Sequence, residues 1–465
     1  MKRRLLSSFG RTAAVLTVLM LMPVASRADV EINETNFPDP NFRQWLKERP
    51  YGEDGVLTGK ELAGIKELYL NSKLIRFLQG IEFFTELVRL FCDGNMLTTL
   101  DVSKNTMLTY INCSNNMLTE LDVSQNTALT DLFCSYNKLT ALDLSQNLAL
   151  TSLYCNGNML TTLDVSKNKA LTKLDSNENM LTEFDVSKNT MLTYISCSNN
   201  MLTELDVSQN TALTWLFCYN NQLKGLDVSK NKVLFSLDCY NNQLKYLYVT
   251  NCTALQHLNC NDNQLMYLNV TSCTALRNLS CSNNQIKLLN VSKNPWLISL
   301  SCDSNQLTSL NISGCMTLNK LMCCNNFLTA LDVSDCTVLE MLWCYENQLR
   351  GESMDAFISS LPKQRSAELY IYHNNADWNY MKPDGNVCTK DNVAAAREKG
   401  WAVYCSNYNG SYWIPYEGAE AESLPGLQAG DQADAPLYDL SGRRVQGKPA
   451  QKGIYVRNGK KILYK

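Results

Sequence analysis

The chain repeats one arrangement of apolar and polar positions every 21 residues, and residues 107–127 show it most clearly. From Leu108 onward the pattern is L-x-x-L-x-C-x-x-N-x-L-x-x-L-D-V-S-x-N-x-x. The cysteine position recurs thirteen times without a slip, with Ser176 in place of cysteine once, and an asparagine follows each of the thirteen three residues later. The twelve cysteines, called the cysteine ladder below, are Cys92, Cys113, Cys134, Cys155, Cys197, Cys218, Cys239, Cys260, Cys281, Cys302, Cys323 and Cys344.

Each repeat, called a coil below, predicts one short β-strand and one return segment. In Ile111–Cys113 the alternation sends Ile111 and Cys113 inward and Asn112 outward. The L-D-V-S half sends its leucine and valine inward and is too short for a helix, so it predicts turns or short strands. A fixed period with leucines at fixed offsets is typical of a leucine-rich repeat solenoid. We therefore predict a curved solenoid with a parallel β-sheet on its concave face and an irregular return side.

Two asparagine rows predict how the coils are joined. The asparagine three residues after each cysteine ends the strand, where its amide can bond backbone groups that would otherwise be buried without partners. The second asparagine, as in Asn126, is replaced in register by Cys252, Cys273, Cys315 and Cys336, which indicates an inward, turn-capping position. Residues 107–127 recur as 191–211 with one difference, which indicates duplication of a block of four coils.

The first 28 residues predict an export signal. They begin with basic residues, continue with the apolar stretch Thr12–Val24, and end with small residues suited to cleavage near Ala28. The apolar stretch is too short to span a bilayer. We therefore expect an exported protein without a membrane span.

Residues 29–64 predict a helical cap on the N-terminal end of the solenoid, with a helix over 41–48. Residues 53–61 are similar to the second half of an EF-hand loop. Pro50 and Gly52 occupy first-half ligand positions and cannot supply carboxylates, so we expect a cap and no calcium site.

The remaining chain divides at changes of pattern. The predicted units are the solenoid (65–350), a C-terminal cap (351–418), a linker (419–435) and a β-hairpin tail (436–465). Within the cap the pattern predicts helices over 354–361 and 390–399 and strands over 368–372 and 401–405. This βαβ-like arrangement would close the C-terminal end of the core.

Charge and cysteine content narrow the functional classes. Lys plus Arg (42) nearly balances Asp plus Glu (45), so no global field favours nucleic acid or an anionic membrane. Nineteen cysteines in an exported chain can indicate disulfides. Thiols that point into a core favour buried free cysteines instead, although strand spacing alone permits bridges. Cys388 and Cys405, in the C-terminal cap, could be paired or free.

The repeats from Leu108 to Asn126 and their copies resemble the cysteine-ladder repeats of internalin-J-type proteins. That resemblance implies a surface adhesin or a protein-binding module. The tail, with Tyr438–Val445 and Lys452–Tyr455, is similar to the C-terminal sorting signals of the type IX secretion system of Bacteroidetes. The tail implies passage across the outer membrane and a final place on the cell surface or outside the cell.

The predicted binding face is the concave sheet, where most outward residues are Ser, Asn or Asp and aromatic residues form three groups. The first group is Tyr194, Trp215, Phe217, Tyr219 and Tyr240; the second is Trp343 and Tyr345 with Met322 and Met341; the third is Phe133, Tyr136 and Tyr154. Exposed Trp and Tyr often dominate recognition. Alternatively, neighbouring rings only shield one another and stiffen the sheet, and the second group docks the C-terminal cap.

Catalysis is not expected. His257 and His373 have no plausible nucleophile beside them in the sequence, and Asp175 and Asp238 lie three coils apart, about 14 Å by the spacing of parallel strands, too far for a glycosidase pair. Cys324 is the only cysteine on the outward row and has no apparent basic partner. No cofactor or metal motif is present in the sequence. We predict a monomeric recognition or adhesion protein for an extracellular protein or glycan, with a passive spacer as the alternative.

Overall fold

The computed structural model describes residues 28–373, 384–406 and 412–420, and the backbone of four short strands between 437 and 464. The predicted signal peptide, except for its last residue, and most of the predicted linker lie outside the described residues. Within them the chain forms a leucine-rich repeat solenoid of about 13 coils, which confirms the predicted fold class.

One strand per coil builds the main sheet. In chain order its strands are β3 (Glu67–Tyr69), β4 (Arg89–Phe91), β5 (Tyr110–Asn112), β6 (Asp131–Phe133), β7 (Ser152–Tyr154), β8 (Lys173–Asp175), β9 (Tyr194–Ser196), β10 (Trp215–Phe217), β12 (Ser236–Asp238), β14 (His257–Asn259), β15 (Asn278–Ser280), β17 (Ser299–Ser301), β19 (Lys320–Met322) and β20 (Met341–Trp343). Every pair is parallel and in register, as in Leu216 beside Leu237. In the described part of the chain β3 pairs only with β4, so this edge of the sheet is open.

The return side is mostly turns, as predicted, with two short parallel pairs. They are β11 (Gly225–Asp227) with β13 (Tyr246–Tyr248), and β16 (Leu288–Asn290) with β18 (Ser309–Asn311). Aspartates of the L-D-V-S segment stabilise the turns, because the carboxylate of Asp122 accepts the Ser124 N–H at 2.9 Å and the same bond recurs in other coils.

The core between the two sides is the predicted column of leucines, valines and ladder cysteines. All twelve ladder cysteines are fully buried, and Ser176 is buried at the position without cysteine. No disulfide joins the cysteines, including Cys388 and Cys405. The ladder is therefore a stack of buried free thiols.

The two asparagine rows connect successive coils as the sequence predicts. The side chain of Asn116 donates to the carbonyls of Cys92 and Cys113 at 3.0 and 2.9 Å, and its Oδ1 accepts the Leu97 N–H at 2.9 Å. In the second row, Asn126 donates to the carbonyls of Val102 and Asn105. Each coil thus completes the hydrogen bonding of the coil before it.

The N-terminal cap holds the strand pair β1 (Val30–Glu31) with β2 (Val56–Leu57) and the helices α1 (Pro40–Lys47) and α2 (Gly59–Gly64). Asp39 caps α1 and also accepts the Arg76 N–H at 2.7 Å, which joins the cap to the first coil. Glu61, at a position similar to the end of an EF-hand loop, forms a capping box with Thr58 at the start of α2. Its carboxylate therefore has a structural partner here.

The C-terminal cap continues the main sheet. Its elements are α3 (Glu352–Ser360), β21 (Ala367–Tyr372), α4 (Lys390–Glu398), β22 (Trp401–Ser406) and β23 (Trp413–Pro415). β21 extends the sheet parallel to β20, β22 follows in parallel, and β23 closes antiparallel on β22. The predicted βαβ-like order is observed, with α3, β21, α4 and β22 each within two residues of their predicted bounds, whereas β23 was not predicted.

The tail forms a separate small sheet of four strands, ordered β25-β24-β26-β27. They are β24 (Leu437–Tyr438), β25 (Arg444–Val445), β26 (Gly453–Arg457) and β27 (Lys460–Tyr464). β26 and β27 pair antiparallel, as the predicted hairpin requires. The predicted turn, Asn458 and Gly459, lies outside the described residues.

Candidate functional site

The outward side chains of the main sheet, called the sheet face below, carry an aromatic cluster at the middle of the solenoid. Trp215 lies 6.1 Å from Phe217 and 5.0 Å from Phe235 between ring centroids, and Tyr194 lies 5.8 Å from Phe217. Phe235 in turn contacts His257 at 5.3 Å. These five residues, called the central cluster, span four adjacent coils, and Trp215 is 40% exposed at the middle of the cluster.

The structure divides the first predicted aromatic group in two. Tyr219 and Tyr240 stack on each other at 4.7 Å, nearly parallel, after the ends of β10 and β12. The central cluster instead gains Phe235 and His257, which the sequence prediction did not include. Phe235 lies four residues before a ladder cysteine, where the six preceding coils have threonine. This departure from the repeat was the sequence signal that could have placed Phe235 in the site.

Two half-buried carboxylates border the central cluster. Asp175 lies on β8, one strand before Tyr194, and Asp238 on β12 is in register with Phe217. Burial raises the pKa of Asp175 to about 6, with a smaller lowering from the Asn177 backbone N–H, and burial likewise raises the pKa of Asp238 to about 6. The cluster is therefore less negative in mildly acidic solution than at neutral pH.

Replacing Asp175 with asparagine should stabilise the protein at neutral pH by roughly 1–2 kcal/mol. The folded-state pKa lies above the unfolded value, so the native state binds the extra proton and stability falls as pH rises from about 4 to about 6. Urea unfolding at both ends of this range should show the gain only at the upper end. The control is Asp143→Asn, whose carboxyl pKa is lowered by Ser145 and which should give no gain. Equal stabilisation at both pH values would contradict the raised pKa of Asp175 as the cause of the gain.

The third predicted group belongs to a longer row near the N-terminal end. Five rings follow one another across adjacent strands, with centroid separations of 4.7 to 5.3 Å. They are Tyr69, Phe91, Tyr110, Phe133 and Tyr154. The guanidinium of Arg89 lies 5.0 Å from the Phe91 and Tyr110 rings. The outer ring pairs stack nearly parallel, so neighbouring rings cover one face of each, although Tyr69 at the end of the row is 53% exposed. Tyr136 lies apart, against Gly157, where an added Cβ would meet its ring at 2.4 Å.

The second predicted group packs against the C-terminal cap. Trp343 stacks on Tyr370 at 5.0 Å, and Tyr345 contacts Trp413 at 5.1 Å and His373 at 5.5 Å. Cys324, on the outward row, is nevertheless buried, and burial raises the pKa of its thiol to about 12. Covering by the cap explains why this group is less accessible than the central cluster.

Known structures place this geometry in a family. The functional domain of InlJ from Listeria monocytogenes, which includes a cysteine ladder, is 35% identical to this chain, with a TM-score of 0.61; the match covers 74% of this chain and 82% of that one. The chain belongs to the internalin-J-type leucine-rich repeat proteins. An internalin, InlF, from the same species (23% identity, TM-score 0.59, 70% and 98% covered) and a leucine-rich repeat protein from Leptospira interrogans (22%, 0.59, 74% and 92%) share the fold. No protein-family model and no curated protein matches the chain.

The internalin-J-type scaffold indicates a recognition or protein-interaction role. Among the described residues, no group of three His, Cys, Asp or Glu side chains is arranged to hold a metal ion, and none of the helices has the length and apolar character needed to cross a bilayer. His257 packs on Phe235, and His373 lies 3.2 Å from the Glu346 carboxylate. These surroundings give both histidines packing or pairing partners.

Proposed function

We propose that this internalin-J-type chain is an exported cell-surface recognition or adhesion protein that binds an extracellular partner through the central cluster. The observation that carries the proposal is Trp215, which is 40% exposed among Tyr194, Phe217 and Phe235. Equivalent positions in most other coils hold small or polar residues, so the fold does not need a tryptophan there. Large exposed aromatic residues surrounded by polar surface suit a binding hot spot.

The partner that best fits this surface is a protein, with a glycan as the alternative. Rings of the central cluster meet at tilts of 30 to 59°, so they present an uneven apolar surface rather than one flat platform. Such a surface can accept apolar side chains between the rings. Polar side chains of neighbouring coils form the rim around it, as in recognition interfaces generally.

Export and a place outside the outer membrane complete the proposal. The predicted signal peptide (1–28) and the tail (436–465), which is similar to type IX sorting signals, support it. A monomer is the proposed working form. The second candidate function is a passive spacer, and the N-terminal row of five rings favours it, because rings that cover one another stiffen a sheet.

Trp215→Ala should weaken partner binding by about thirty-fold or more, the effect of losing a hot-spot residue worth at least about 2 kcal/mol. Beads coated with the mature chain would be tested on immobilised extracellular-matrix proteins, cell surfaces and a glycan array. The matched control is Trp296→Ala, which removes a tryptophan that is 57% exposed and lies outside the sheet-face strands.

The outcomes separate the two candidate functions. Loss of adhesion with Trp215→Ala alone supports recognition through the central cluster, and protease or glycosidase treatment of the target then identifies its class. Adhesion that survives both substitutions, or no adhesion to any target, favours the spacer. Thermal melting should be nearly unchanged in both variants, because both indoles are substantially exposed.

A further inference from the structure

A groove of about 470 Å³ opens on the return side, away from the sheet face. Carboxylates line one part of the groove, and an aromatic side chain forms the wall of the other part. The lining carboxylates are those of Glu183, Asp185, Glu204, Asp206 and Asp227. Gly225 lies at the transition between the two parts, and Tyr246 forms the wall. We call this the return-side groove.

Gly225 makes room for the wall. Gly225 and Tyr246 are in register on β11 and β13, and the tyrosine ring folds over the glycine. A Cβ at position 225 would lie 2.0 Å from Cζ of Tyr246, so any other residue would displace the ring. The groove therefore depends on a glycine in one coil beside a tyrosine in the next.

The three aspartates of the groove have a structural explanation, but the two glutamates do not. Asp185, Asp206 and Asp227 each accept a serine backbone N–H, the turn bond found throughout the return side. Glu183 and Glu204 are exposed, and neither forms an ion pair within the described chain. Lys188 is near enough to act on Asp185 electrostatically, but it does not line the groove. The groove therefore carries an excess of negative charge.

An exposed apolar patch continues from the wall along the next coils. Tyr246 and Tyr248 have ring centroids 5.3 Å apart. Met266, Tyr267 and Leu288 follow, each about 60% exposed or more. The equivalent positions of preceding coils hold Thr, Lys, Glu, Asp, Ala or Gly. Contiguous apolar surface rimmed by charge marks an interaction site.

We propose that the return-side groove and this patch bind a segment of a partner protein that has basic side chains at one end and apolar side chains at the other. The basic groups lie among the carboxylates of Glu183 and Glu204, and the apolar groups pack on Tyr246 and Tyr267. Charge complementarity selects this occupant, because an acidic segment would be repelled and a purely apolar one would leave the carboxylates without counter-charges. This surface is separate from the central cluster, so the chain can engage two partners.

The test uses a fluorescein-labelled peptide with a run of arginines followed by a run of phenylalanines on the mature chain, with peptides of equal length in which glutamate or serine replaces the arginines as controls. Fluorescence polarisation should show binding of the arginine peptide alone. Glu183→Gln with Glu204→Gln should weaken it by about ten-fold or more, as should Tyr246→Ser. Binding should also weaken as salt rises from about 0.05 M to about 0.5 M, because exposed charges are screened.

The matched control is Glu120→Gln, since Glu120 occupies the position of Glu183 three coils earlier and lies outside the groove. Glu120→Gln and Trp215→Ala should each bind the arginine peptide as tightly as the unaltered chain does. Equal binding of the serine peptide, no binding of the arginine peptide, or equal loss in Glu120→Gln would overturn the proposal. Sedimentation that shows a dimer lost in Tyr246→Ser would assign the patch to self-association and overturn it as well. Circular dichroism melting checks that each variant folds.

Discussion

Replacing Asn221 with alanine should lower the free energy of unfolding by about 3 kcal/mol or more. Its buried side-chain amide donates to the carbonyls of Cys197 and Cys218 at 3.0 and 3.2 Å, and its Oδ1 accepts the Leu202 N–H at 3.0 Å. Alanine would leave these three buried backbone groups without the side chain that bonds them. Each buried group that loses its partner costs about 1–3 kcal/mol.

The neighbouring residue provides the control for this substitution. Gln222 is exposed in the same turn, so Gln222→Ala changes side-chain size without removing an inter-coil bond. Urea unfolding followed by circular dichroism would compare the two variants. Hydrogen exchange at the Leu202 amide would show whether the loss begins at this junction between coils. If Asn221→Ala lowers the free energy of unfolding no more than Gln222→Ala does, the first asparagine row does not stabilise the junctions between coils.

Native protein should expose almost none of its nineteen cysteines to a thiol reagent, whereas protein unfolded without reductant should expose all nineteen. Burial raises the pKa of Cys113 to about 12, so thiolate is scarce as well as shielded. Reaction of the ladder therefore requires the coils to open. The absorbance of the thiolate that the reagent releases, recorded over time, counts the reactive cysteines in the native and in the unfolded protein.

Cys405 supplies the internal comparison, because it is half-buried while the other eighteen cysteines are buried. Cys405 should account for any fast phase in the reaction of native protein with the thiol reagent, and Cys405→Ser should remove that phase. Fewer than nineteen reactive thiols after unfolding would reveal disulfides and overturn the free-thiol ladder.

The sequence predicts the solenoid well because its period fixes which side chains face inward. Once Cys113 and Asn116 are placed inside, residues of the same type twenty-one positions later must also face inward. The burial of all twelve ladder cysteines confirms this prediction. The strand at Tyr110–Asn112 and the turn bond of Asp122 come from the same local alternation. Neither depends on contacts between distant coils.

The candidate sites were harder to predict because they depend on contacts between neighbouring coils at positions outside the main repeat. Phe235 joins Trp215 from the flank of the next coil, which no alternation within one coil indicates. The return-side groove likewise appears only when Gly225 of one coil is set beside Tyr246 of the next. Trp343 was recognised from its type and position, but its stacking on Tyr370 depends on how the cap folds back.

The hydrogen bonds of the asparagine rows have a consequence for how such a protein changes length. Because Asn200 donates to the Ser176 carbonyl of the preceding coil as well as to the Cys197 carbonyl of its own coil, any whole coil offers its successor the same acceptors. Unequal recombination that inserts or deletes complete coils therefore leaves every junction intact, whereas insertion of a single codon disturbs the junctions of the coil that contains it. Relatives should differ by multiples of one turn, and each added turn would move Trp215 farther from one terminus by a single strand spacing, about 4.8 Å.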